Sequence, residues 1–302
     1  MRGRVCLITG ATSGIGRVAA EQIASMGATL CLVGRDQARS ERAVQEIRAR
    51  TGNDGIEYLL ADLSVQAEVR RLAFEFRSRH DRLHVLVNNA GATFGSRQET
   101  RDGIELTFAL NHLAYFLLTN LLLDLLKASA PARIVNVSSG AHQRAPLEFD
   151  DLQNHRRYRG MRVYGQSKLC NLYFTYELAE RLRGSGITVN GLHPGFVATN
   201  FGRSNNGWLG AIMPLAHRFA LSPERGAQTL VHLASSPDVE TVTGRYFFQK
   251  RPIRSSVPSY DLEARRRLWA VSEAMTGMRP GAGSKPETSS LGEGTGSGRS
   301  AG

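Results

Sequence analysis

Six short apolar runs, VCLIT (5–9), TLCLV (29–33), IEYLLA (56–61), HVLVNN (84–89), RIVNVSS (133–139) and TVNGLH (188–193), alternate with amphipathic stretches near 14–26, 36–51, 65–79, 105–129 and 162–184. Near-continuous apolar runs of this length suit strands covered on both faces, and the interposed helices supply the long crossovers that parallel pairing requires. A helix near 223–236, a strand GRYFF (244–248) and a final helix near 259–276 complete the series, without internal repeats. The expectation is an α/β domain with a doubly wound parallel sheet of about seven strands and helices on both faces. In such sheets ligands bind beyond the carboxyl ends of the strands, so residues with useful chemistry should gather just after each run.

The chain of 302 residues accommodates one large α/β domain or two small ones, and a single domain is assigned to 1–279. The last stretch, 280–302 (PGAGSKPETSSLGEGTGSGRSAG), is too poor in apolar side chains to offset ordering entropy and is expected to be a disordered tail. Its Lys285, Arg299, Glu287 and Glu293 cancel, so the formal charge of +11 belongs to the folded body. That excess is spread over arginines such as Arg156-Arg157, Arg251 to Arg254 and Arg265 to Arg267, without a helix-turn-helix, zinc-finger or RNA-binding signature. Nucleic acid is therefore not expected as a partner, and most of these arginines read as solvated helix faces. Cys6, Cys31 and Cys170 have neither metal nor redox spacing, which points to free thiols in a reducing cytoplasm and to no metal site. RVCLITG enters the first strand directly, and the apolar run at 113–126 is interrupted by Asn120 and Asp124, so no transmembrane segment is expected.

After the first strand, TGATSGIG (9–16) places Gly10, Gly14 and Gly16 around Thr12, Ser13 and Ile15. Glycines there permit a tight turn, close approach of backbone amides to a diphosphate, and close packing of a helix whose N-terminus favours anions. Arg35, in VGRD after the second strand, suits bidentate pairing with a 2′-phosphate and so favours NADP(H) over NAD(H). Arg17 and Arg39 read equally as support for that phosphate or as exposed helix residues. Asp62, next to Leu63, reads equally as an acceptor for the adenine amine or as a helix N-cap. Beyond the fourth strand NNAG (88–91) offers Asn88 or Asn89 to stitch strands, and Ala90 and Gly91 as small residues beneath a ribose. Ser138 and Ser139 follow the fifth strand. Pro194, Gly195, Val197 and Thr199 follow the sixth, where Thr199 could bond a carboxamide.

The segment VYGQSK (163–168) sets Tyr164 and Lys168 four residues apart, on one face of a helix. A free phenol has a pKa near ~10, so Tyr164 alone is a poor base, and a nearby ammonium would favour its ionised form. The pair also reads as an ordinary surface tyrosine beside a solvated lysine.

From Arg4 to about Ala274 the chain resembles the short-chain dehydrogenase/reductase family, with TGATSGIG, NNAG, Asn111 in ALNHLAYF, Ser139, YGQSK and HPG in the family's order. LNHLAYFLLTNLLL, RIVNVSSGAH and YGQSKLCNLYFTYELAERL are similar to the retinol dehydrogenase-like branch, which includes protochlorophyllide reductases. The 25 residues from Ser139 to Tyr164 also fit that branch, and the added segment HQRAPLEFDDLQNHRRYRGMR should overhang the substrate side.

The resemblance implies a single-domain Rossmann fold and an NADP(H)-dependent oxidoreductase that interconverts a carbonyl and an alcohol on a lipophilic substrate. It further implies that Tyr164 exchanges a proton with the substrate oxygen, Ser139 holds that oxygen, Lys168 lowers the phenol's pKa and bonds a ribose, and Asn111 holds a relaying water. Cofactor contacts are implied at Gly10, Thr12, Ser13, Gly14, Ile15, Gly16, Arg35, Asp62, Leu63, Asn89, Ala90, Gly91, Tyr164, Lys168, Pro194, Gly195, Val197 and Thr199. Phe94, Phe196, Phe201, Trp208, Leu209 and Met213 read either as pocket lining or as a loop's own core. Homo-oligomers, dimer or tetramer, are implied through the helices near 105–129 and 162–184. Reduction of a conjugated C=C bond, and a non-catalytic NADP(H)-binding sensor or scaffold, are the competing functions.

Overall fold

In the computed structural model, which describes residues 1–195 and 221–278, eight strands form one sheet: β1 (Val5–Thr9), β2 (Thr29–Gly34), β3 (Ile56–Leu60), β4 (Val85–Asn88), β5 (Ala132–Val137), β6 (Ile187–Leu192), β7 (Tyr246–Phe248) and β8 (Arg251–Ile253). Their order is β3-β2-β1-β4-β5-β6-β7-β8. β1 to β7 are parallel and β8 runs antiparallel to β7. Strand order reverses between β1 and β4, so their carboxyl ends open the crevice in which a dinucleotide fits.

The strands alternate their side chains between two cores. Cys6, Ile8, Leu30 and Leu32 pack under α1 (Gly14–Ser25) and α2 (Gln37–Thr51), with Ala227 and Leu230 of a later helix on the same side. Leu7, Cys31 and Val33 face the opposite layer, with Val69 and Leu72 of α3 (Gln66–Arg79). A strand apolar on both sides has no solvent face to reveal its period, which is why these runs look continuous in the sequence.

The stretch near 105–129 is four pieces rather than one helix: α4 (Leu106–Phe108), a π-helical turn (Ala109–Leu113), α5 (Ala114–Leu121) and α6 (Leu123–Ala128). The buried Glu105 carboxylate accepts from Thr107 N (2.8 Å) and Phe108 N (2.7 Å) and so fixes the start. Beyond it come α7 (Gly160–Arg181), α8 (Pro223–Ser235) and α9 (Leu262–Thr276). Every residue of α7 from Val163 to Ala179 is buried. Part of that burial comes from α9, whose Trp269 lies against Phe116 (4.9 Å between ring centroids) and Phe174 (6.0 Å), with the Arg181 guanidinium 4.0 Å from its ring centre. Helix α9 of the same chain thus covers part of the surface of α5 and α7 that the resemblance assigns to a partner copy.

β8 is the element without a sequence signal. Its three residues are exposed, and the hairpin turns on Gln249 (φ 49°) and Lys250 (φ 65°). Positive φ at both turn positions matches the twist of a tight hairpin, but asparagine and glycine are the residues that usually announce it. The proposed tail, 280–302, lies outside the described residues.

His112 in the π turn bonds Ser272 of α9 (2.9 Å), and burial pushes its pKa down to about 3. The native state holds the imidazole neutral, whereas an unfolded chain would protonate it near ~6.5. Its contribution to stability is therefore complete above about pH 6.5 and is lost as pH falls toward about 3. In urea titrations at stepped pH, His112→Gln, which stays neutral, is expected to remove about 1.4 kcal/mol per pH unit of slope between about pH 6 and 4. A slope equal to the parent's would contradict this origin.

Candidate active site

The turn after β1 fits a dinucleotide. Gly10 has φ 65° and Gly14 φ 57°, a backbone region in which other residues are strained. A Cβ on Gly10 would stand 2.9 Å from Ala90 Cα, and one on Gly16 would collide with Asn89 Nδ2 and Gly10 O. Asn89 itself holds the turn, its amide donating to Thr9 O (2.8 Å) and Gly10 O (3.1 Å). Ser13, the residue preceding α1, makes no side-chain cap bond, which leaves the first amides of α1 for an anion. Thr12 packs toward Gly34, where a Cβ would come within 2.7 Å of its methyl group. Ile15 is half-buried against the core beneath α1.

Arg35 is exposed directly after β2. Its neighbour Asp36 is occupied elsewhere, since Oδ1 accepts from Arg39 N (2.8 Å) and caps α2. Arg17 is engaged with Glu46 (2.6 Å). Asp62 accepts from Ser64 N (3.0 Å) and Ser64 Oγ (2.7 Å), so it shapes the turn before α3, whose cap position is Val65; Leu63 is buried beside it. Gly195 has φ 84° and its N–H donates to His193 Nδ1 (3.3 Å), which with Pro194 forms the turn after β6. Val197 and Thr199 lie outside the described residues, as do Phe196, Phe201, Trp208, Leu209 and Met213.

Three elements bring the remaining candidates together. Tyr164 and Lys168 lie on α7, 8% and 2% exposed, Ser139 follows β5, and Asn111 sits in the π turn. π turns widen a helix locally and recur at functional sites. Asn111 Nδ2 donates to Ala92 O and to Ser167 Oγ (both 2.9 Å), and Oδ1 accepts from Ala92 N (2.9 Å). The amide is therefore a clamp between the segment after β4 and α7, a role that the expected water contact did not include. A Cβ on Gly91 would lie 3.1 Å from Asn111 Oδ1 and 3.2 Å from Lys168 Nζ, so the glycine is what lets these groups approach.

Lys168 Nζ donates to Val137 O (3.0 Å) and lies 5.7 Å from the centre of the Tyr164 ring. Burial holds its pKa down to about 7. Burial also pushes the Tyr164 phenol up to about 12, partly offset by its hydrogen bond with Ser139. Both groups are withdrawn from water, which opposes the charged form of each, and Lys168 Nζ is directed to a carbonyl. A phenol in this state keeps its proton at neutral pH.

Ser138 and Ser139 separate in role. Ser138 Oγ donates to Lys168 O (2.8 Å) and ties β5 to α7, whereas Ser139 meets Tyr164. A buried polar ladder makes a second tie. Asn88 Nδ2 donates to Thr119 Oγ1 (3.0 Å) and Asn136 Oδ1 (2.9 Å), and Asn136 Nδ2 to Thr175 Oγ1 (3.0 Å). Asn88 thus stitches β4 to β5, while Asn89 serves the glycine turn.

The added segment rests on the loop after β4. Tyr158 Oη bonds Thr107 Oγ1 (3.2 Å) and donates to Phe94 O (3.3 Å), and Arg97 Nε donates to Gln153 O (2.9 Å). His142, His193 and Tyr246 lie within segments the sequence singles out but are not themselves read there as site residues; His142 contacts Ser139, and Tyr246 packs against both imidazoles. The His193 ring stacks on Phe248 at 4.2 Å and on Tyr246 at 5.5 Å, and burial, then His142, hold its pKa down to about 4.

Comparison with known proteins identifies the family and agrees with the fold. The model of the short chain dehydrogenase family matches residues 4–210. The chain is 42% identical over 297 residues to retinol dehydrogenase 14 of Mus musculus, with 92% of this chain and 87% of that one covered. A solved structure of a protein from Mycobacterium paratuberculosis superposes with a TM-score of 0.74 at 31% identity, covering 91% of this chain and 94% of that one. The RhlG/NADP active-site complex of Pseudomonas aeruginosa gives 0.67 at 30% identity, covering 82% and 94%. With a family model over residues 4–210 and relatives that span nearly the whole chain, the chain belongs to the short chain dehydrogenase family and is a retinol dehydrogenase-like member of it.

Proposed function

We propose that this oxidoreductase uses NADP(H) to interconvert a carbonyl and an alcohol on a lipophilic substrate. The observation that carries the reading is the buried Tyr164 phenol, hydrogen-bonded with Ser139 and one helical turn from Lys168, at the carboxyl edge of the sheet. Bound nicotinamide supplies or accepts the hydride. Tyr164 gives its proton to the carbonyl oxygen during reduction and takes it back during oxidation. Ser139 orients that oxygen with its hydroxyl, and Lys168, with a pKa near neutrality, can return a proton to the phenol side.

The exposed Arg35 supports NADP(H) as the coenzyme, because Asp36, the acid next to it, is committed to capping α2. The retinol dehydrogenases among its relatives support an apolar alcohol or aldehyde as substrate. Cys6, Cys31 and Cys170 are all free and buried, which supports a reducing compartment, and among the described residues no helix is long and apolar enough to cross a membrane.

The test is NADPH and NADH oxidation with a panel of long-chain and aromatic aldehydes and ketones. Turnover with NADPH supports the reading; loss of NADPH absorbance with a conjugated enone and none of the saturated carbonyls would replace it by C=C reduction. Arg35→Asp is expected to raise KM for NADPH by about tenfold to a hundredfold while changing KM for NADH by less than about threefold, the span of a lost charged hydrogen bond. Equal effects on both coenzymes would remove the 2′-phosphate contact.

A further inference from the structure

We infer that His142 is a positioning residue, gripping the carbonyl of Ser139 with one ring nitrogen and the C-terminal segment at Ser256 with the other. His142 is 1% exposed and lies in the turn that follows Ser139. Its Nδ1 is 2.6 Å from Ser139 O, and its backbone N–H donates to the same oxygen at 3.2 Å. On the far side of the ring, Nε2 accepts from Ser256 N at 3.1 Å. A backbone amide can only donate, so Nε2 must be unprotonated and the proton must sit on Nδ1, where it donates to Ser139. Both partners thereby select one neutral tautomer, and burial lowers the pKa in keeping with this. The ring is also held edge-on to Tyr246 at 5.2 Å.

The segment reached through Ser256 is itself built onto the catalytic helix. Ser255 Oγ bonds Tyr176 Oη (2.6 Å) and Ser259 Oγ (2.6 Å), Ser255 N donates to Tyr260 Oη (3.1 Å), and the Tyr260 ring stacks on Tyr176 at 5.4 Å. It therefore touches α7 through Tyr176 and the serine turn through His142. The imidazole sets where the Ser139 carbonyl, and with it the hydroxyl, stands relative to Tyr164. This role rests on the proposed part of Ser139 in catalysis.

The experiment compares His142→Ala and His142→Asn in the full chain by hydrogen–deuterium exchange of segments 138–145 and 254–261, with kcat and NADPH binding measured alongside. In the alanine variant both segments should exchange about tenfold faster or more, the effect of losing a buried hydrogen bond on local opening. Its kcat should fall at least about tenfold with NADPH affinity unchanged. The asparagine amide can still donate to the carbonyl three residues back but is too short for Ser256. Only 254–261 should then loosen, and kcat should return to within about threefold of the parent. A histidine of purely structural value would loosen both variants alike and leave kcat at the parent's value. If the alanine variant does not fold, the asparagine variant alone decides, since faster exchange at 138–145 in it overturns the inference. Unchanged exchange at 138–145 in the alanine variant does so too, whether or not the parent turns over. Absence of turnover in the parent, by contrast, counts only against the proposed function.

Discussion

Replacing Tyr164 with phenylalanine is expected to lower kcat by about 10²–10⁴-fold while leaving NADPH affinity unchanged, the range spanned by loss of a positioned general acid. The ring stays and only the hydroxyl goes. The helix has ties that do not pass through that hydroxyl: the main-chain carbonyl of Tyr164 is bonded by Ser167 Oγ (2.7 Å), and the neighbouring Ser138–Lys168 tie runs through backbone and serine atoms. The fold should therefore survive the change. Stopped-time assays of NADPH oxidation with the best carbonyl of the panel give kcat, and quenching of tryptophan fluorescence gives NADPH binding. A variant with the parent's turnover would remove Tyr164 as the proton donor. A variant that lost both turnover and NADPH binding would instead place the phenol in cofactor retention. With burial pushing its pKa up to about 12, the phenol holds its proton at neutral pH, the form that reduction requires, so the first direction to assay is reduction.

The residues that could be placed from the sequence are those whose chemistry is local. Strands buried on both faces announce themselves by composition, and the spacing of Tyr164 and Lys168 fixes their common face once α7 is a helix. The glycine turn is equally local, since Gly10 and Gly14 need positive φ and Gly16 needs room. What escaped depends on contacts between distant segments. The π turn at Asn111 answers to Ala92 and Ser167, 19 and 56 positions away. His142 answers to Ser256, 114 positions away. The electrostatics of the Tyr164–Lys168 pair are likewise a property of packing. A helix net brings Lys168 toward Tyr164, but the depth at which both are buried decides which way each titrates.

The second large effect is expected from a methyl group. Gly165 lies next to Tyr164 on α7, facing the turn that carries Ser139, and a Cβ there would stand 2.6 Å from Ala145 Cβ and 2.7 Å from Ala141 O. Ordinary contact needs about 3.4–4 Å, so helix and turn must part by roughly 1 Å. Ala141 is bonded through its N–H to Ser139 Oγ (3.2 Å), so the displacement passes directly to the hydroxyl that meets Tyr164. Misplacement of a catalytic group by about 1 Å can cost about 10²-fold, and Gly165→Ala should lower kcat by about that factor. NADPH binding should change little, because the glycine turn after β1 is on the other side of the sheet order reversal. Gly140→Ala is the control: a Cβ there meets nothing within 4 Å, and kcat should stay near the parent's. Equal activity in the two variants would mean that the serine turn yields without moving its hydroxyl, and that the close packing of α7 on this turn serves the fold rather than the reaction.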